Sequence, residues 1–594
     1  MNESTFTVLN ELRKDSHLTL RALAERASVS LGKASSIVKE LASQGLIDEN
    51  RAITDAGTAA LAPYKVDNAL ILAAGKSSRF VPFCYDTPKG LLTCKGEVLI
   101  ERQIEQLRAA GVDDIVIVVG YMMEQFAYLE EKYGATLVVN DEYALRNTHS
   151  SILAAADYLK NTYICSSDDY FTENVFDAYV YDSYYATVFM TGETMERGVI
   201  TDKNGLIVDT QKPSLDQWVM FGHVYWSAEF SKKIVGYIRD EYDRVDVADW
   251  YWEWFYVEHL DELPLYARRY ADGVIYEFDS VADICAFDAD FLKTTQSEAI
   301  DHICETLGCQ PMDIRNFQAI NIGLTNSSFS FAAPGGAYIY RQPKAQSRDI
   351  DRVLEKRIIE LVSPLGISDE CVAISERGWK LSKFIEGAED YRADSFLDML
   401  DLARILQRLH GEIDESDLEG MPEFDYAAKA ASCYEDILAC GAGSAFSREY
   451  ASLLERTSAL DAFIKEHPFQ KALCHNDIYD YNILRTPHRL YLIDWEYGTA
   501  GDAGFDICKL FSLAFFKELY EIEAACSLYF NRKPTSEETA HLLACAALSY
   551  YWWVLWAVLM EHKGTDMRGN ILLWLRKARH YESLIETALA GKEA

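Results

Sequence analysis

A short segment of the sequence, from Cys474 to Leu484, carries residue types that suit the transfer of a phosphoryl group. Asp477 stands five residues before Asn482, and Asp494 follows in the strand-like segment LYLIDWEYG. Phosphoryl transfer needs a carboxylate that orients the acceptor hydroxyl and two oxygen ligands for a metal ion. The spacing of these three residues predicts that arrangement, with Asp477 as the base.

A second set of residues, much earlier in the chain, suits the binding of a nucleoside triphosphate. The apolar strand NALILAAG ends in the loop Gly75 to Phe80, which contains Arg79, and Lys89 follows in the segment TPKGLL. A glycine-containing turn lets backbone N–H groups approach phosphate oxygens, and cationic side chains neutralise those oxygens. The loop therefore predicts a triphosphate site at the end of a strand.

These two early signals form the pattern L-A-A-G-x-x-x-R-F-x-P followed by P-K-x-L, which resembles the sugar-phosphate and phosphocholine nucleotidyltransferase family. The resemblance covers about residues 68–292 and implies that Arg79 and Lys89 are catalytic. Ser77 stands where the family more commonly has a second glycine. The residues that the resemblance implies in nucleotide binding are Ala73, Ala74, Gly75, Ser77, Asn140, Ser150 and Ser151.

The same resemblance implies a metal site built from two aspartates at separate strand ends. Asp168 follows the strand-like segment TYICSS, and Asp279 follows IYEF. Two such carboxylates are suited to holding Mg2+ against the α-phosphate, where the ion reduces the cost of the developing charge. Either aspartate alone would more simply cap a strand end, so this prediction depends on the loop and the Pro-Lys pair.

Aromatic residues concentrate between Trp218 and His259, in the segments WVMFGHVYW and DWYWEWFYVEH. Aromatic faces with interleaved carboxylates suit a quaternary ammonium, which offers no hydrogen-bond donor and is held by cation–π and Coulomb attraction. The alternative is that these rings form the core of a helix. The residues that the family resemblance assigns to phosphocholine binding are Tyr225, Trp226, Trp252 and Glu253.

The later segment, H-N-D-x-x-x-x-N followed by I-D-W-E, resembles the choline kinase and aminoglycoside phosphotransferase family over about residues 293–594. The resemblance implies ATP as the phosphoryl donor and Mg2+ held by Asn482 and Asp494. The upstream residues that it assigns to nucleotide binding are Thr325 and Asn326 in the phosphate-covering loop Gly323 to Phe329, the strand cation Arg341, and Glu355 as the ion-pair partner of Arg341.

The acceptor of this second site is predicted from a pair of tryptophans near the C-terminus. Trp553 and Trp556 resemble the W-x-x-W of choline kinases, and their spacing places both rings on one helix face. Glu496 and Asp506, in the segment after the metal-binding aspartate, are expected to supply negative charge. A tryptophan pair on a helix is also common in cores, so that alternative stays open.

Alternating strand and helix patterns must position these residues. Short apolar runs separated by helical segments such as IERQIEQLRAAG indicate a parallel sheet covered by helices. The fold class is therefore multidomain α/β and α+β. We expect a winged helix at 1–66, a Rossmann-like nucleotidyltransferase domain at 67–292 and a protein-kinase-like phosphotransferase domain at 293–594.

The first 66 residues contain a helix, a tight turn at Ser28 to Ser30 and a second helix, a pattern similar to the winged helix-turn-helix of bacterial regulators. Residues 1–65 hold eight basic and eight acidic side chains, so the rest of the chain carries the whole net charge of −36 and should repel nucleic acid. DNA binding through residues 1–66 and a packing or dimerisation role are both open. The available phosphate contacts are Arg26, Lys33 and Lys39.

Composition and cysteine usage predict a cytoplasmic protein without membrane contact. The chain is 49% hydrophobic and 25% charged, an ordinary globular mixture. Its longest apolar stretch, Ala544 to Met560, is shorter than the ~20 residues that span a membrane. No export signal is visible, and the thirteen cysteines include no CxxC pair, so reduced thiols are expected.

These patterns together predict an enzyme that phosphorylates choline with ATP and transfers CMP from CTP to phosphocholine, giving CDP-choline and pyrophosphate. One alternative is the same pair of reactions on another amino alcohol or sugar phosphate. A second is a transcriptional regulator whose enzyme-like domains sense ligands. Intact catalytic patterns in both large domains favour the enzyme.

Overall fold

The computed structural model describes residues 1–320, 325–344, 350–393, 395–440, 443–563 and 567–591, with the side chains of 443–449 excepted. The chain forms two compact units. The first contains Met1–Asp301 and Arg315–Ala319, and the second contains His302–Ile314 and Ile320–Ala594. The winged helix and the nucleotidyltransferase part fall together in the first unit. The boundaries at residues 66 and 292 stay predictions.

The N-terminal part of the first unit has the helix-turn-helix arrangement that the sequence predicts. Each helix begins at a polar N-cap whose side chain accepts a backbone N–H of the first turn, a group that would otherwise lack a partner. The wing contains an antiparallel bridge between Ile47 and Ile53. The helices are α1 (Glu3–Lys14), α2 (Leu20–Arg26), α3 (Leu31–Ser43) and α4 (Asp55–Leu61).

An aromatic cluster packs the winged helix against the rest of the first unit. The ring centroid of Phe6 lies 4.9 Å from that of Tyr64 and 5.4 Å from that of Tyr181, and the two tyrosines stack at 5.2 Å. Lys14 adds an ion pair with Asp177 at 3.4 Å. The winged helix is therefore joined to the nucleotidyltransferase part by a packed contact as well as by the chain.

Strands and helices alternate through the nucleotidyltransferase part, as the sequence predicts. The elements from residue 68 to residue 320 are β1 (Asn68–Ala73), β2 (Thr93–Cys94), β3 (Glu97–Val98), α5 (Leu99–Ala109), β4 (Ile115–Val119), α6 (Tyr128–Tyr133), β5 (Thr136–Val139), α7 (Thr148–Ala154), β6 (Thr162–Ser166), β7 (Asp169–Phe171), β8 (Tyr184–Thr194), β9 (Gly198–Thr201), β10 (Ile207–Gln211), β11 (Ser214–Trp226), α8 (Ala228–Glu241), α9 (Trp252–Glu258), β12 (Tyr266–Arg269), β13 (Ile275–Glu277), α10 (Val281–Phe287), α11 (Phe291–Thr294), α12 (Glu298–Leu307) and β14 (Arg315–Ile320).

The main sheet of the first unit is mixed, with parallel strands in the order β6, β1, β4 and β5, and β11 pairs antiparallel with β6. The carboxyl ends of parallel strands meet at one edge, so the residues that follow β1 and β6 lie together. A separate ribbon pairs β13 with β7 and places Glu277 opposite Asp169. This pairing brings the residues after β13 to the same edge.

The second unit combines a small antiparallel sheet with a larger helical part. Its elements are β15 (Asn326–Ala333), β16 (Gly336–Pro343), α13 (Arg352–Val362), β17 (Cys371–Ile374), β18 (Lys380–Lys383), β19 (Glu389–Asp390), α14 (Phe396–Gly411), α15 (Tyr426–Ala439), α16 (Gly443–Glu466), β20 (Lys471–Cys474), β21 (Ile483–Arg485), β22 (Leu490–Leu492), β23 (Thr499–Asp502), α17 (Gly504–Ile507), α18 (Lys509–Ser512), α19 (Leu519–Phe530), α20 (Ser536–His562) and α21 (Arg568–Ala590).

Strands β15, β16, β18 and β17 form the antiparallel sheet in that order. The segment with the predicted base connects β20 to β21, and Asp494 follows β22. Both therefore lie in connections between short strands. These strands pack against the helices in one hydrophobic core.

Helix α20 is long and apolar enough to cross a membrane by length and composition. This corrects the prediction that the apolar stretch in this part of the sequence is too short for a membrane span. The structure buries 89% of its most apolar stretch inside the second unit. The apolar surface of α20 therefore packs against protein, as a core helix does.

Candidate active sites

A cavity of about 590 Å³ opens at the carboxyl ends of β1 and β6 in the first unit. Ser150 lies behind its wall, where it accepts a hydrogen bond from Asn140 Nδ2 at 2.9 Å. The predicted residues that line the cavity are Ala73, Ala74, Gly75, Ser77, Arg79, Lys89, Asn140, Ser151, Asp168, Trp252, Glu253 and Asp279.

The phosphate loop needs a left-handed backbone at Ser77, whose φ is 49°. Residues with a β-carbon adopt this conformation rarely, whereas glycine adopts it freely. The backbone therefore explains why a glycine is more common at this position. Ser77 keeps the loop conformation and adds a hydroxyl to the cavity wall.

Each predicted cation of this cavity pairs with a predicted metal-binding carboxylate. Lys89 forms an ion pair with Asp168, and Arg79 pairs with Asp279 at 2.7 Å. Glu277, which the sequence reading did not assign, lines the same wall. Burial and the neighbouring carboxylates, among them Asp168 and Asp279, raise the pKa of Glu277 well above its usual range.

The carboxylates of this wall fit a divalent cation. They supply oxygen donors from separate elements, the type of ligand that Mg2+ prefers. Burial and the charge of Asp168 also raise the pKa of Asp169 well above its usual range. Such crowding of negative charge is relieved by a bound cation, and Asp168 and Asp279 are the residues that would hold it.

Trp252 and Glu253, at the start of α9, also line this cavity. Glu253 Oε1 accepts a hydrogen bond from the Tyr185 hydroxyl at 3.1 Å, and Oε2 is buried without a partner among the described residues. Burial raises the pKa of Glu253 to about 7. A buried carboxylate oxygen without a donor, beside an indole ring, suits a substrate cation.

The structure corrects the prediction for Tyr225 and Trp226, which do not line the cavity. Both are fully buried, with 1% and 0% of their surface exposed. They lie on β11, whose neighbours cover both faces of the strand, so alternate side chains all enter the core. Tyr225 packs against Tyr163 at 5.5 Å, and Trp226 packs edge-on against Trp252 at 4.9 Å.

A second cavity, of about 580 Å³, lies in the second unit. Aromatic side chains and carboxylates share its lining. The predicted residues that line it are Thr325, Asp477, Asn482, Asp494, Glu496, Trp553 and Trp556. The residues in its wall that the sequence reading did not assign to the acceptor include Tyr479, Tyr481, Lys509, Tyr550, Asn570 and Trp574.

The loop that carries Asp477 is held by hydrogen bonds to its own residues and to Asp506. Asn482 Nδ2 donates to Asp477 Oδ2 at 2.8 Å, which leaves the amide oxygen of Asn482 for a ligand. Asp506 accepts the backbone N–H groups of His475 and Asn476 at 2.7 and 3.0 Å. Because Asp506 is fully buried, it anchors the loop and does not face the acceptor, which corrects its predicted role.

The electrostatics of the second cavity resemble those of the first. Burial raises the pKa of Asp477 well above its usual range, and the charges of Asp494 and Glu496 act in the same direction. Asp494 has a φ of 64°, a strained backbone of the kind that recurs at functional sites. The carboxylate of Asp494 and the amide oxygen of Asn482 are donors that fit Mg2+.

Arg341 pairs with Glu355, which confirms the predicted ion pair, and also with Asp494 at 2.6 Å. A second arginine, Arg352, donates to Glu355 at 2.7 Å and approaches Glu496 at 3.5 Å. Arg352 lies on the same helix as Glu355, three residues earlier. Opposite charges at this spacing predict an ion pair, so the sequence contains a signal for this contact.

Glu496 reaches the predicted phosphate-covering loop. It accepts hydrogen bonds from Thr325 Oγ1 at 2.8 Å and from Asn326 Nδ2 at 3.0 Å. Burial and the neighbouring Asp494 raise the pKa of Glu496 to about 7. Gly323 and Leu324, the first residues of the predicted loop, lie outside the described residues.

Trp553 and Trp556 are half-buried on α20 and turn toward the cavity, as their spacing predicts. Their ring centroids lie 5.3 Å apart. Trp574 of α21 lies 5.7 Å from Trp553, and Tyr479 of the catalytic loop lies 6.1 Å from Trp574. Four rings from three segments thus form an aromatic wall next to the Asp477 loop.

The fold and the two cavities define a multidomain transferase. Family models match in the predicted order: a winged helix-turn-helix DNA-binding model at residues 1–48, a MobA-like NTP transferase domain at 69–176 and a phosphotransferase enzyme family at 316–525.

The choline-phosphate cytidylyltransferase of Streptococcus pneumoniae is 36% identical over 215 residues, which are 36% of this chain and 94% of that protein. The 2-aminoethylphosphonate cytidylyltransferase of Lancefieldella rimae is 36% identical over 234 residues, which are 39% of this chain and 95% of that protein. A solved structure of the choline kinase LicA from Streptococcus pneumoniae is 23% identical, with a TM-score of 0.41, over 48% of this chain and 99% of that one. The chain belongs to the nucleotidyltransferase family that includes these two cytidylyltransferases, and it joins that domain to a phosphotransferase-family domain.

The corrected position of Trp226 leads to a first prediction. Trp226→Phe should lower the free energy of unfolding by about 1 kcal/mol, because it leaves a small gap in the core. It should leave the KM for the acceptor of nucleotidyl transfer unchanged, because the ring does not reach the cavity. Urea unfolding and steady-state kinetics measure the two quantities.

Glu253→Gln is the matched variant in the cavity wall. It should raise the KM for a cationic acceptor by about tenfold, the usual effect of losing a contact between charged groups. A raised KM in Trp226→Phe without a change in stability would contradict the core placement of Trp226.

Proposed function

We propose that the chain catalyses two consecutive reactions: phosphorylation of choline by ATP, and transfer of CMP from CTP to phosphocholine with release of pyrophosphate. The observation that carries this proposal is common to both cavities. Each combines a set of carboxylates and cations suited to phosphate chemistry with a wall of tryptophan and carboxylate suited to a quaternary ammonium.

In the kinase site, Asp477 accepts the proton of the choline hydroxyl as that oxygen attacks the γ-phosphorus of ATP. The amide of Asn482 orients the Asp477 carboxylate. Asn482 and Asp494 would hold Mg2+, which would supply neutralisation of phosphate charge. Arg341 and Glu355 keep Asp494 in position, and Thr325 contacts the nucleotide. Asn326 does not line the cavity, because its amide is buried against Glu496 and Arg352.

In the cytidylyltransferase site, a phosphate oxygen of phosphocholine attacks the α-phosphorus of CTP, and pyrophosphate leaves. Arg79 and Lys89 neutralise the charge that develops on the phosphates. The loop around Gly75 and Ser77 supplies backbone N–H groups, and Asn140 and Ser151 contact the nucleotide. Asp168 and Asp279 would hold Mg2+, which would supply further charge neutralisation.

The second domain of the chain supports phosphocholine over 2-aminoethylphosphonate as the acceptor. The two named relatives are equally identical to this sequence, so identity does not choose between them. A phosphonate contains a carbon–phosphorus bond, which phosphorylation of an alcohol does not make. A kinase domain on the same chain therefore favours a phosphate ester as the cytidylyl acceptor. The aromatic walls favour choline over a sugar.

Separate inactivation of the two sites tests the proposed pair of reactions. Asp477→Asn should abolish choline phosphorylation and leave CDP-choline formation from added phosphocholine intact, because the base acts in one site alone. Lys89→Met should stop cytidylyl transfer and let phosphocholine accumulate. Asp480→Asn is the control, since Asp480 is in the same loop as Asp477 but outside the cavity lining. Loss of both activities in Asp477→Asn would contradict the assignment of two sites.

The aromatic wall of the kinase site gives a prediction about the acceptor. Losing one ring should remove roughly 0.5 to 2 kcal/mol of cation–π attraction, so Trp553→Ala or Trp556→Ala should raise the KM for choline up to about 30-fold. The KM for ATP should not change. Trp552→Phe is a matched control, because Trp552 is buried in the core.

Choline should also be used better than ethanolamine, because a primary ammonium would lose hydrogen bonds to water that indole faces do not replace. Equal use of both alcohols, or an unchanged choline KM when both rings are absent, would show that these tryptophans serve packing alone.

The winged helix is proposed to bind DNA weakly. Helix α3 presents Lys33 and Lys39 to solvent, and Lys33 Nζ donates to Ser4 Oγ at 2.7 Å. Removing both lysines by alanine substitution should weaken binding to the DNA upstream of the coding region and reduce the slope of log K against log salt by about two. Fluorescence anisotropy measures this. Binding that survives the double variant unchanged, with Lys203→Ala as control, would contradict the role of α3.

A further inference from the structure

Lys509 is a buried cation in the wall of the acidic kinase cavity. Among the described residues that line this cavity, it is the one with a positive charge, and it shares the lining with Asp477, Asp494 and Glu496. Only 4% of its surface is exposed. Burying an ammonium group costs free energy unless charges or hydrogen-bond acceptors compensate it.

The contacts of the Lys509 ammonium leave donors for a ligand. Among the described residues, Nζ donates one hydrogen bond, to Ser549 Oγ at 3.3 Å. Nζ also lies 5.1 Å from the ring centroid of Tyr550. An ammonium has three N–H donors, so at least one remains for a ligand. The nearby Lys577 is different, because its Nζ donates to the carbonyl oxygens of Ser512 and Leu513 at 2.6 and 3.1 Å. Packing therefore accounts for Lys577 but not for Lys509.

Lys509 shares its cavity with the base of the proposed reaction. Asp477 and Lys509 both line that cavity, together with Asp494 and Glu496. A phosphoryl group that reaches the acceptor oxygen beside Asp477 therefore enters the cavity that Lys509 lines. The aromatic wall around Trp553 would hold the other end of the acceptor.

We propose that Lys509 contacts the phosphoryl group as it passes to the acceptor oxygen and then holds the phosphate of the product. This inference rests on the proposed kinase function. The bond from the γ-phosphorus to the bridging oxygen of ATP breaks, the bond to the acceptor oxygen forms, and the hydroxyl proton passes to Asp477. The peripheral phosphoryl oxygens stay negative throughout, and a positioned ammonium stabilises that charge. Lys509 exchanges no proton.

Variants that remove the charge of Lys509 test this role. Lys509→Met and Lys509→Gln should lower kcat for choline phosphorylation by ~10- to 100-fold, the usual effect of losing a hydrogen bond to a charged group. Inhibition by phosphocholine, measured against choline without CTP, should weaken by a similar factor. The KM for choline should not rise, because removing a cation relieves repulsion of the trimethylammonium group. Lys509→Arg should keep more activity, and Lys533→Met is an exposed control.

A folded Lys509→Met or Lys509→Gln variant with unchanged kcat and unchanged inhibition by phosphocholine would overturn the proposal. If both variants fail to fold, inhibition of the unmodified enzyme by phosphocholine is measured instead. The proposal then requires that phosphocholine inhibits choline phosphorylation competitively against choline. Absence of that inhibition would overturn the role of Lys509. An unmodified chain that is inactive on choline would overturn the proposed function, and with it the phosphate that Lys509 would hold.

Discussion

Crowding of carboxylates is the constraint on which both cavities depend. In the first cavity, the charges of Asp168 and Asp279 help to raise the pKa of Glu277. In the second, the charge of Asp494 helps to raise the pKa of Asp477. Like charges at this spacing disfavour ionisation unless cations oppose them. The protein supplies such cations from neighbouring segments, and the remaining negative charge suits divalent ions and cationic substrates. The two proposed reactions therefore share one electrostatic basis.

The two folds meet this constraint in different ways. In the first unit, parallel strands end at one edge, so carboxylates and the phosphate loop converge without long connections. In the second unit, a buried aspartate, Asp506, fixes the catalytic loop through backbone N–H groups. The apolar helix α20 then supplies two of the four rings of the aromatic wall, because its partly exposed tryptophans line the cavity while its other faces are buried.

Local motifs predicted the parts of the sites that lie on one segment. Residues of three such motifs line the two cavities: the phosphate loop, the segment with Asp477 and Asn482, and the tryptophan pair of α20. The sequence was wrong where burial depends on partners far along the chain: neighbouring strands cover Tyr225 and Trp226 on both faces of β11, a fact that their aromatic character does not reveal. It also missed Trp574, because α21 reaches the cavity only through tertiary packing.

The most direct test of two sequential reactions on one chain uses deuterium-labelled choline with ATP, CTP and Mg2+, followed by mass spectrometry over time. If the chain catalyses both reactions, label appears first in phosphocholine and then in CDP-choline, and omission of ATP leaves all label in choline. Label that remains in choline with both nucleotides present, or that stops at phosphocholine despite added CTP, would contradict it.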